Sequence, residues 1–262
     1  MLDTRLLSLA LGGLEPPFEA SAEGLRGALD WARAAGFRAV HLNAAAAGLR
    51  PRDLDRSARR DVAAILRRNE LALSGLDLWV PAEHFADARH AERAVAAVVG
   101  AIELAAELRT LAGERAGAGS VCVSIVLPRP VPGEVVGQLR ARADAAGVRV
   151  ADCALPLGEA SEGDERDPMA VGLDPAGMLL ANVDACKEAS RLGKRVACAR
   201  LSDLSPSGRI APGDKGGRLS LTEYAVATAL GCPDAPVVLD LRGVADPQRA
   251  AASALRAWAA AL

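Results

Sequence analysis

The sequence is poor in rings. Three Phe, three Trp and one Tyr are the only aromatics in 262 residues, so the interior has to be built from Ala, Val and Leu. Net charge is also scarce: 31 Lys and Arg against 33 Asp and Glu leave a formal −2. A nucleic-acid binder needs a basic face and stacking side chains, and neither is present. Long apolar runs are missing too. Glu and Arg interrupt the Ala-rich segments before they reach the roughly 20 residues that span a bilayer, which excludes a membrane partner of that kind. The five cysteines, Cys122, Cys153, Cys186, Cys198 and Cys232, are odd in number and form no C-x-x-C pair. They read as reduced intracellular thiols rather than as a disulfide frame or a structural zinc site. The apolar stretch Leu6–Leu14 is short, is broken by glycine and has no A-x-A site after it, so it reads as a first strand and not as a signal peptide. The expected compartment is the cytoplasm.

What remains is an ordinary globular composition, 51% hydrophobic and 24% charged, enough to offset chain entropy and to exclude disorder. Two periodicities alternate from end to end. Runs rich in Val and Leu predict buried strands at Leu6–Leu11, Arg38–Asn43, Ala72–Val80, Val121–Leu127, Val148–Ala154, Ala170–Leu173, Arg195–Leu201 and Val237–Leu241. Ala/Leu/Arg segments between them predict helices. These run from a Ser21 cap to Ala35, from Pro51 to Arg68, from Ala91 to Leu108, from Pro132 to Gly147, from Pro175 to Leu192, from Ser220 to Leu230, and from an Asp246 cap to the C-terminus. The acidic stretch Pro156–Asp167 carries no apolar period, so a loop replaces the helix expected after strand five. Eight such units at ~33 residues each fit the βα repeat length. Continuous apolar strands imply a sheet covered on both faces and therefore parallel. The expected fold is α/β, a single (β/α)8 TIM barrel over 1–262. A doubly wound open sheet is the alternative. It would want a phosphate loop after strand one, and Gly12-Gly13 followed by Leu14-Glu15-Pro16-Pro17 forms no phosphate cradle.

In a barrel of this kind the site lies at the C-terminal strand ends. The polar residues there are His41 and Asn43, Asp77 and His84, Ser124 and Arg129, Asp152 and Cys153, Asp174, Arg200 and Asp203, and Asp240 and Arg242. Each has a plainer reading. Cys153 is a small buried thiol unless a histidine lies beside it. Asp174-Pro175 is also a common helix N-cap pair. Arg200 and Asp240 also fit a structural ion pair at the mouth. His41 and His84 are two of three histidines; they are candidates for touching a ligand, and His90 reads as helix surface.

Several segments together resemble the xylose isomerase-like superfamily: Gly24 to His41, Ala72-Leu-Ser-Gly-Leu-Asp77, Ala91-Glu-Arg-Ala through Ala-Glu-Leu108, Gly147-Val-Arg-Val-Ala-Asp-Cys153, and Arg200-Leu-Ser-Asp203 followed by Gly208-Arg-Ile-Ala-Pro-Gly213. The resemblance implies a TIM-barrel sugar isomerase or epimerase. It also implies a divalent metal (Mn, Mg, Co or Zn) held by Glu, Asp, His and Glu at the ends of strands five to eight, with two carboxylates as acid and base. Those four positions fall on Cys153, Asp174, Arg200 and Asp240. Side chains alternate along a strand, so an inward Cys153 turns Asp152 towards the helices unless a bulge intervenes. Arg200 has no lone pair for a metal. Its guanidinium is expected to pair with Asp174 and Asp240 in the electrostatic place of the cation.

The expectation is therefore a barrel with a degenerate metal site and no metal cofactor, acting on or binding a small carbohydrate-like ligand. Asp174, Arg200, Asp240 and Cys153 are its catalytic candidates. His41, His84, Asp203 and Arg209 are its ligand-binding candidates, with Arg209 and Lys215 on a substrate-covering loop at Ser205–Gly217. Two alternatives stay open. One is a working metal enzyme with displaced ligands from His84, Asp174, Asp203 and Asp240. The other is a non-catalytic interaction protein that uses its Ala-rich helices as a homo-oligomer face.

Overall fold

The structure, a computed structural model, describes residues 6–14, 22–113, 119–158 and 167–262. Eight parallel strands close into one barrel: β1 (Leu7–Ala10), β2 (Ala39–Asn43), β3 (Ala72–Asp77), β4 (Cys122–Ile125), β5 (Arg149–Asp152), β6 (Met169–Leu173), β7 (Val196–Leu201) and β10 (Val237–Leu239). β10 pairs with both β7 and β1 and seals the ring. This is the (β/α)8 barrel expected from the βα periodicity. The helices are α1 (Ala22–Ala34), α2 (Arg56–Arg68), α3 (Ala91–Ala112), α4 (Gly133–Ala146), α5 (Pro175–Leu180), α6 (Ala185–Leu192), α7 (Leu221–Gly231) and α8 (Pro247–Ala261).

Helix ends follow local chemistry. The Asp55 side chain accepts from Ala58 N at 2.8 Å and starts α2, after a 3-10 turn at Pro51–Asp53 where the sequence suggested a continuous helix. Asp246 caps α8 by accepting from Arg249 N. Gly147 closes α4 in the left-handed region at φ 59, a conformation glycine adopts at no steric cost. Ser21, the expected cap of α1, lies outside the described residues, as do Phe18 and most of the acidic stretch after β5. The flanking 153–158 and 167–168 hold no helix. The helix expected at Pro175–Leu192 is two: Asn182 turns to φ 56, and Asp184 caps a fresh start by accepting from Cys186 N and Lys187 N. The loop expected at Ser205–Gly217 contains a small hairpin, β8 (Asp203–Ser205) paired with β9 (Gly208–Ile210).

The core has two layers. Outward-facing Leu9, Val40, Leu76, Val123, Val150 and Leu201 pack under the helices, each burial contributing about 1.5–3 kcal/mol. Ala-rich α3 turns Val98, Ala101, Ile102, Ala105 and Leu108 into this layer. The large apolar side chains left exposed are elsewhere, at Leu180, Val226, Leu230 and Leu262. Inside the barrel the residues are small: Ala10, Cys122, Ala151, Ala170, Cys198 and Val238 form one cluster. Ser8, His41, Ser74 and Ser124 are also fully buried, and their hydrogen bonds cross the barrel. The interior cluster holds no Phe, Tyr or Trp, and the largest fully buried side chain among the described residues is Arg200.

Two β-bulges decide what faces inward. Between β2 and β3 the pairing steps from Val40↔Leu73 to His41↔Gly75, which leaves Ser74 as the extra residue. Between β6 and β7 it steps from Val171↔Val196 to Gly172↔Cys198, which leaves Ala197 extra. A bulge shifts side-chain alternation by one position. Ser74 and Asp77 therefore both point inward although they are three apart. On β7, Ala197 and Cys198 both join the interior cluster, and Arg200 follows Cys198. Gly75 makes the first bulge feasible: at φ 154 any Cβ would run into the Cys122 carbonyl and the His41 ring.

Candidate functional site

The mouth of the barrel is an alternating network of carboxylates and guanidiniums. Its base is Arg200 on β7, fully buried. Arg200 Nη1 donates to Asp77 Oδ2 at 3.3 Å, and Nη2 bonds the other oxygen of the same carboxylate. This is a two-pronged pair across the barrel. Nη1 also lies 3.8 Å from Asp240 Oδ2, while Tyr224 Oη donates to the Arg200 carbonyl at 2.9 Å from beneath. The expected partnership of Arg200 with Asp174 and Asp240 is thus corrected. Asp240 is a partner, but the principal one is Asp77, delivered by the Ser74 bulge.

Asp174 belongs to a second layer of the network. Arg209 Nη2 reaches both its oxygens at 2.5 Å, and Ser202 Oγ donates to Oδ1 at 2.6 Å. Asp174 stands at the N-cap position of α5 without a side-chain cap bond; Ser202 Oγ accepts from Ala176 N at 3.0 Å in its stead. Arg209, on β9, ties the hairpin down over the mouth and also approaches Asp240 Oδ2 at 3.5 Å. Its guanidinium is thereby paired; Lys215 on the same loop is exposed. Arg242 grips Asp240 through Nε at 2.9 and 3.0 Å and Nη2 at 2.5 Å. The Arg242 guanidinium stacks on Trp79, 3.9 Å from the ring centroid, with Arg200 at 5.1 Å from the same ring. Trp79 Nε1 and Arg200 Nε are buried without a hydrogen-bond partner.

Below this network sits a polar stem. His41 Nε2 is 3.3 Å from Asp77 Oδ1 and 3.4 Å from Ser124 Oγ. Its Nδ1 is 3.1 Å from Ser74 Oγ, which donates to the Val40 carbonyl at 3.0 Å.

These contacts set the electrostatics. Burial works to raise the pKa of Asp77, but the Arg200 guanidinium, with His41 in support, outweighs it and holds the carboxyl far below the usual carboxylate range. Asp240 is lowered in the same way: burial opposes, and the bond from Arg242 with the charges of Arg200, Arg242 and Arg209 prevails. Burial pushes the Cys153 thiol well up, against the pull of Arg200. Cys153 faces the interior, where its sulfur fills the space a Cβ on Gly172 would need. The register through β4, β5 and β6 is unbroken. Asp152 accordingly turns away, accepts from Leu127 N and Ala154 N at 3.1 Å, and pairs with Arg129 at 2.9 Å, as strand alternation predicts.

Of the eight residues singled out from sequence, Asp174, Arg200, Asp240, His41 and Arg209 converge here, with Cys153 alongside. Asp203 does not join them: its Oδ1 accepts from Leu204, Arg218 and Leu219 amides at 2.7–2.9 Å and folds the loop. His84 lies apart, its ring stacked on His90 with centroids 4.7 Å apart. Trp79 and Ser202 carry no signal in the sequence, whereas Asp77 and Arg242 stand among its strand-end polar residues but not among the eight candidates. A strand-end Asp at 77 was visible, but the bulge upstream hides its direction from a period-2 count.

At the four positions that the resemblance gives to metal ligands, the donor chemistry does not fit a divalent ion. They carry a high-pKa thiol, a guanidinium and two carboxylates already engaged by arginines. Among the described residues no three His, Cys, Asp or Glu side chains converge as a metal-holding group.

Comparison with known proteins supports the fold. No protein-family profile and no curated protein sequence matches the chain. Solved structures do match. D-psicose 3-epimerase with D-tagatose from Clostridium cellulolyticum H10 superposes with a TM-score of 0.70 at 14% identity, over 98% of this chain and 99% of that one. A xylose isomerase domain protein from Planctomyces limnophilus gives 0.66 at 14%, over 89% and 90%. The probable 3-DHS dehydratase AsbF from Bacillus anthracis gives 0.70 at 10%, over 97% and 98%. The fold is that of the xylose isomerase-like barrels. At these identities the likeness establishes architecture and leaves chemistry to the site.

Proposed function

We propose that this chain is a carbohydrate-handling barrel that binds a small polyhydroxy ligand at its mouth without a divalent metal. The observation that carries the reading is Arg200: a fully buried guanidinium, at the position where the resemblance implies a metal ligand, is ion-paired to Asp77 and Asp240. Three arginines and three aspartates balance one another there, so the carboxylates carry no excess charge for a cation to neutralise. The D-psicose 3-epimerase neighbour, determined with D-tagatose, supports a sugar-like ligand. Arg209 and Arg242 are partly exposed at the mouth, and guanidinium N–H groups suit hydroxyl-rich ligands.

The same network argues for binding over turnover by proton transfer. Moving a proton between neighbouring carbons needs a carboxylate whose pKa approaches the working pH. Asp77 and Asp240 are held below the ordinary range and are weak bases. Cys153 is a protonated thiol at neutral pH and a poor nucleophile.

Elemental analysis of the protein purified without chelator tests this, together with thermal shift against Mn, Mg, Co and Zn and against neutral ketohexoses and cyclitols. Metal far below one ion per chain, no shift with ions and a saturable shift with a polyhydroxy compound are expected. Near-stoichiometric Mn or Zn with epimerase turnover refutes the reading.

A further inference from the structure

A cavity opens beside the mouth, between the segment that follows β2 and the first half of α3. Its volume is about 840 Å³, within the range of small-molecule sites. Ala44, Leu78, Val80 and Ala97 contribute an apolar floor, and the walls are cationic: Arg50, Arg52, Arg59 and Arg93 line it with a single acid, Glu103. That acid is already taken, because Arg142 on α4 pairs with it. Arg59 is held rigid, its Nη1 2.6 Å from Glu107, with further bonds to the Leu54 and Pro51 carbonyls at 3.1 Å. Arg50 is anchored through Nε to the Ala45 carbonyl at 3.1 Å, which leaves its terminal nitrogens free of that bond. Arg52 approaches only its neighbour Asp53, at 3.6 Å. Arg93 is exposed and pairs with no carboxylate among the described residues. The stacked imidazoles of His84 and His90 complete the rim.

Arg59 is balanced by Glu107 and Arg52 has Asp53 at 3.6 Å, while Arg50 and Arg93 line the cavity with no ion-paired carboxylate among the described residues, so the positive charge around it exceeds the negative. Solvated arginines normally spread over a surface. Here they surround a concave, apolar-floored space, the arrangement that concentrates an anion and recognises it by paired N–H donors. Small residues keep the space open. Ala94, Ala97 and Gly100 present α3 to the cavity, and a Cβ on Gly100 would press Pro51 at 3.1 Å. The cavity also adjoins the mouth in sequence: Ala44 follows Asn43, and Leu78 follows Asp77.

We propose that this cleft binds the phosphate group of a phosphorylated small molecule, with Arg50, Arg52 and Arg93 as its donors. The assignment goes beyond the reading of the mouth and stands whether or not the mouth takes a polyhydroxy ligand.

Titration calorimetry and thermal shift at low salt, with inorganic phosphate and D-fructose 6-phosphate as probes and D-fructose and malonate as controls, test it on the full chain. Both phosphate probes should bind saturably and more tightly than malonate. An Arg52→Gln/Arg93→Gln double variant, altered at exposed positions only, should keep its unfolding temperature. It should weaken phosphate binding about tenfold or more, the loss expected for one charge-assisted hydrogen bond. An Arg249→Gln/Arg256→Gln variant on α8, with the same charge change, should bind like wild type. No saturable phosphate binding at millimolar concentration, equal weakening in the α8 variant, or malonate binding as tight as phosphate would each overturn the proposal. Loss of D-fructose binding alone bears on the mouth and not on this cleft.

Discussion

Replacing Arg200 by Met removes the charge at the centre of the mouth and keeps most of its volume. At an effective dielectric of 20, the 3.3 Å approach to Asp77 and the 3.8 Å approach to Asp240 correspond to about 5 and about 4 kcal/mol of attraction. Burying the guanidinium offsets much of this in the wild type. The variant is spared that cost but leaves a carboxylate behind. Asp240 retains Arg242 and Arg209 as close partners, whereas among the described residues Asp77 retains His41. The deficit therefore centres on Asp77, and breaking a buried pair from one side costs about 3–5 kcal/mol.

The sign of the pH dependence follows. In the wild type the Asp77 pKa lies below its ordinary 3.8. Its contribution is therefore complete above that value and is lost only as pH falls through the lower folded pKa. Without Arg200, burial dominates and raises the Asp77 pKa above 3.8, so the variant gains stability relative to wild type as the pH falls. Urea unfolding at pH 7.5 and pH 5 should show the gap narrowing at the lower pH. Adding Asp77→Asn to the variant should recover at least half of the loss, because the unpaired charge is gone. A gap below about 1 kcal/mol, a gap indifferent to pH, or no recovery in the double variant would refute the account of the ion pair.

Further outcomes follow from the same contacts. Cys153→Glu with Arg200→His introduces at two positions the ligand types that the resemblance implies and frees Asp240 from one guanidinium. Mn or Co should then stabilise the variant, by about 2.7 kcal/mol at 100 times the dissociation constant, while wild type shows no such shift. Asp174→Asn should release Arg209 and loosen the β8–β9 hairpin; hydrogen exchange at 203–210 should rise with global stability changed by about 1 kcal/mol or less, and unchanged protection would sink the latch. Iodoacetamide at pH 7.5 should modify the folded protein slowly at all five cysteines. Cys122, Cys198 and Cys232 are buried, and burial raises the thiols of Cys153 and Cys186, the latter to about 11. Rapid stoichiometric labelling of Cys153 would contradict its reading as an inert thiol.

The barrel was legible in the order of residues along the chain. Strand and helix periods are local properties of the chain, and eight apolar runs separated by amphipathic segments close in few ways. That order also showed the direction of Asp152, because β5 carries no bulge and alternation holds along it. The small-residue interior follows equally from the scarcity of rings. The tertiary structure alone decided the pairing within the mouth. Asp77 and Arg200 both lie downstream of an extra residue, Ser74 on β3 and Ala197 on β7, and each bulge reverses the alternation that a sequence count relies on. Such a shift is set by what the neighbouring strand and the opposite wall can accommodate: the Cys122 carbonyl and the His41 ring pressing on Gly75, and the interior cluster receiving Ala197 and Cys198 together. Arg209 shows the same limit from a loop, since only a hairpin folded back over the strand ends brings its guanidinium onto Asp174. Contacts between residues 123 positions apart, as Asp77 and Arg200 are, depend on register and closure, which no local period encodes.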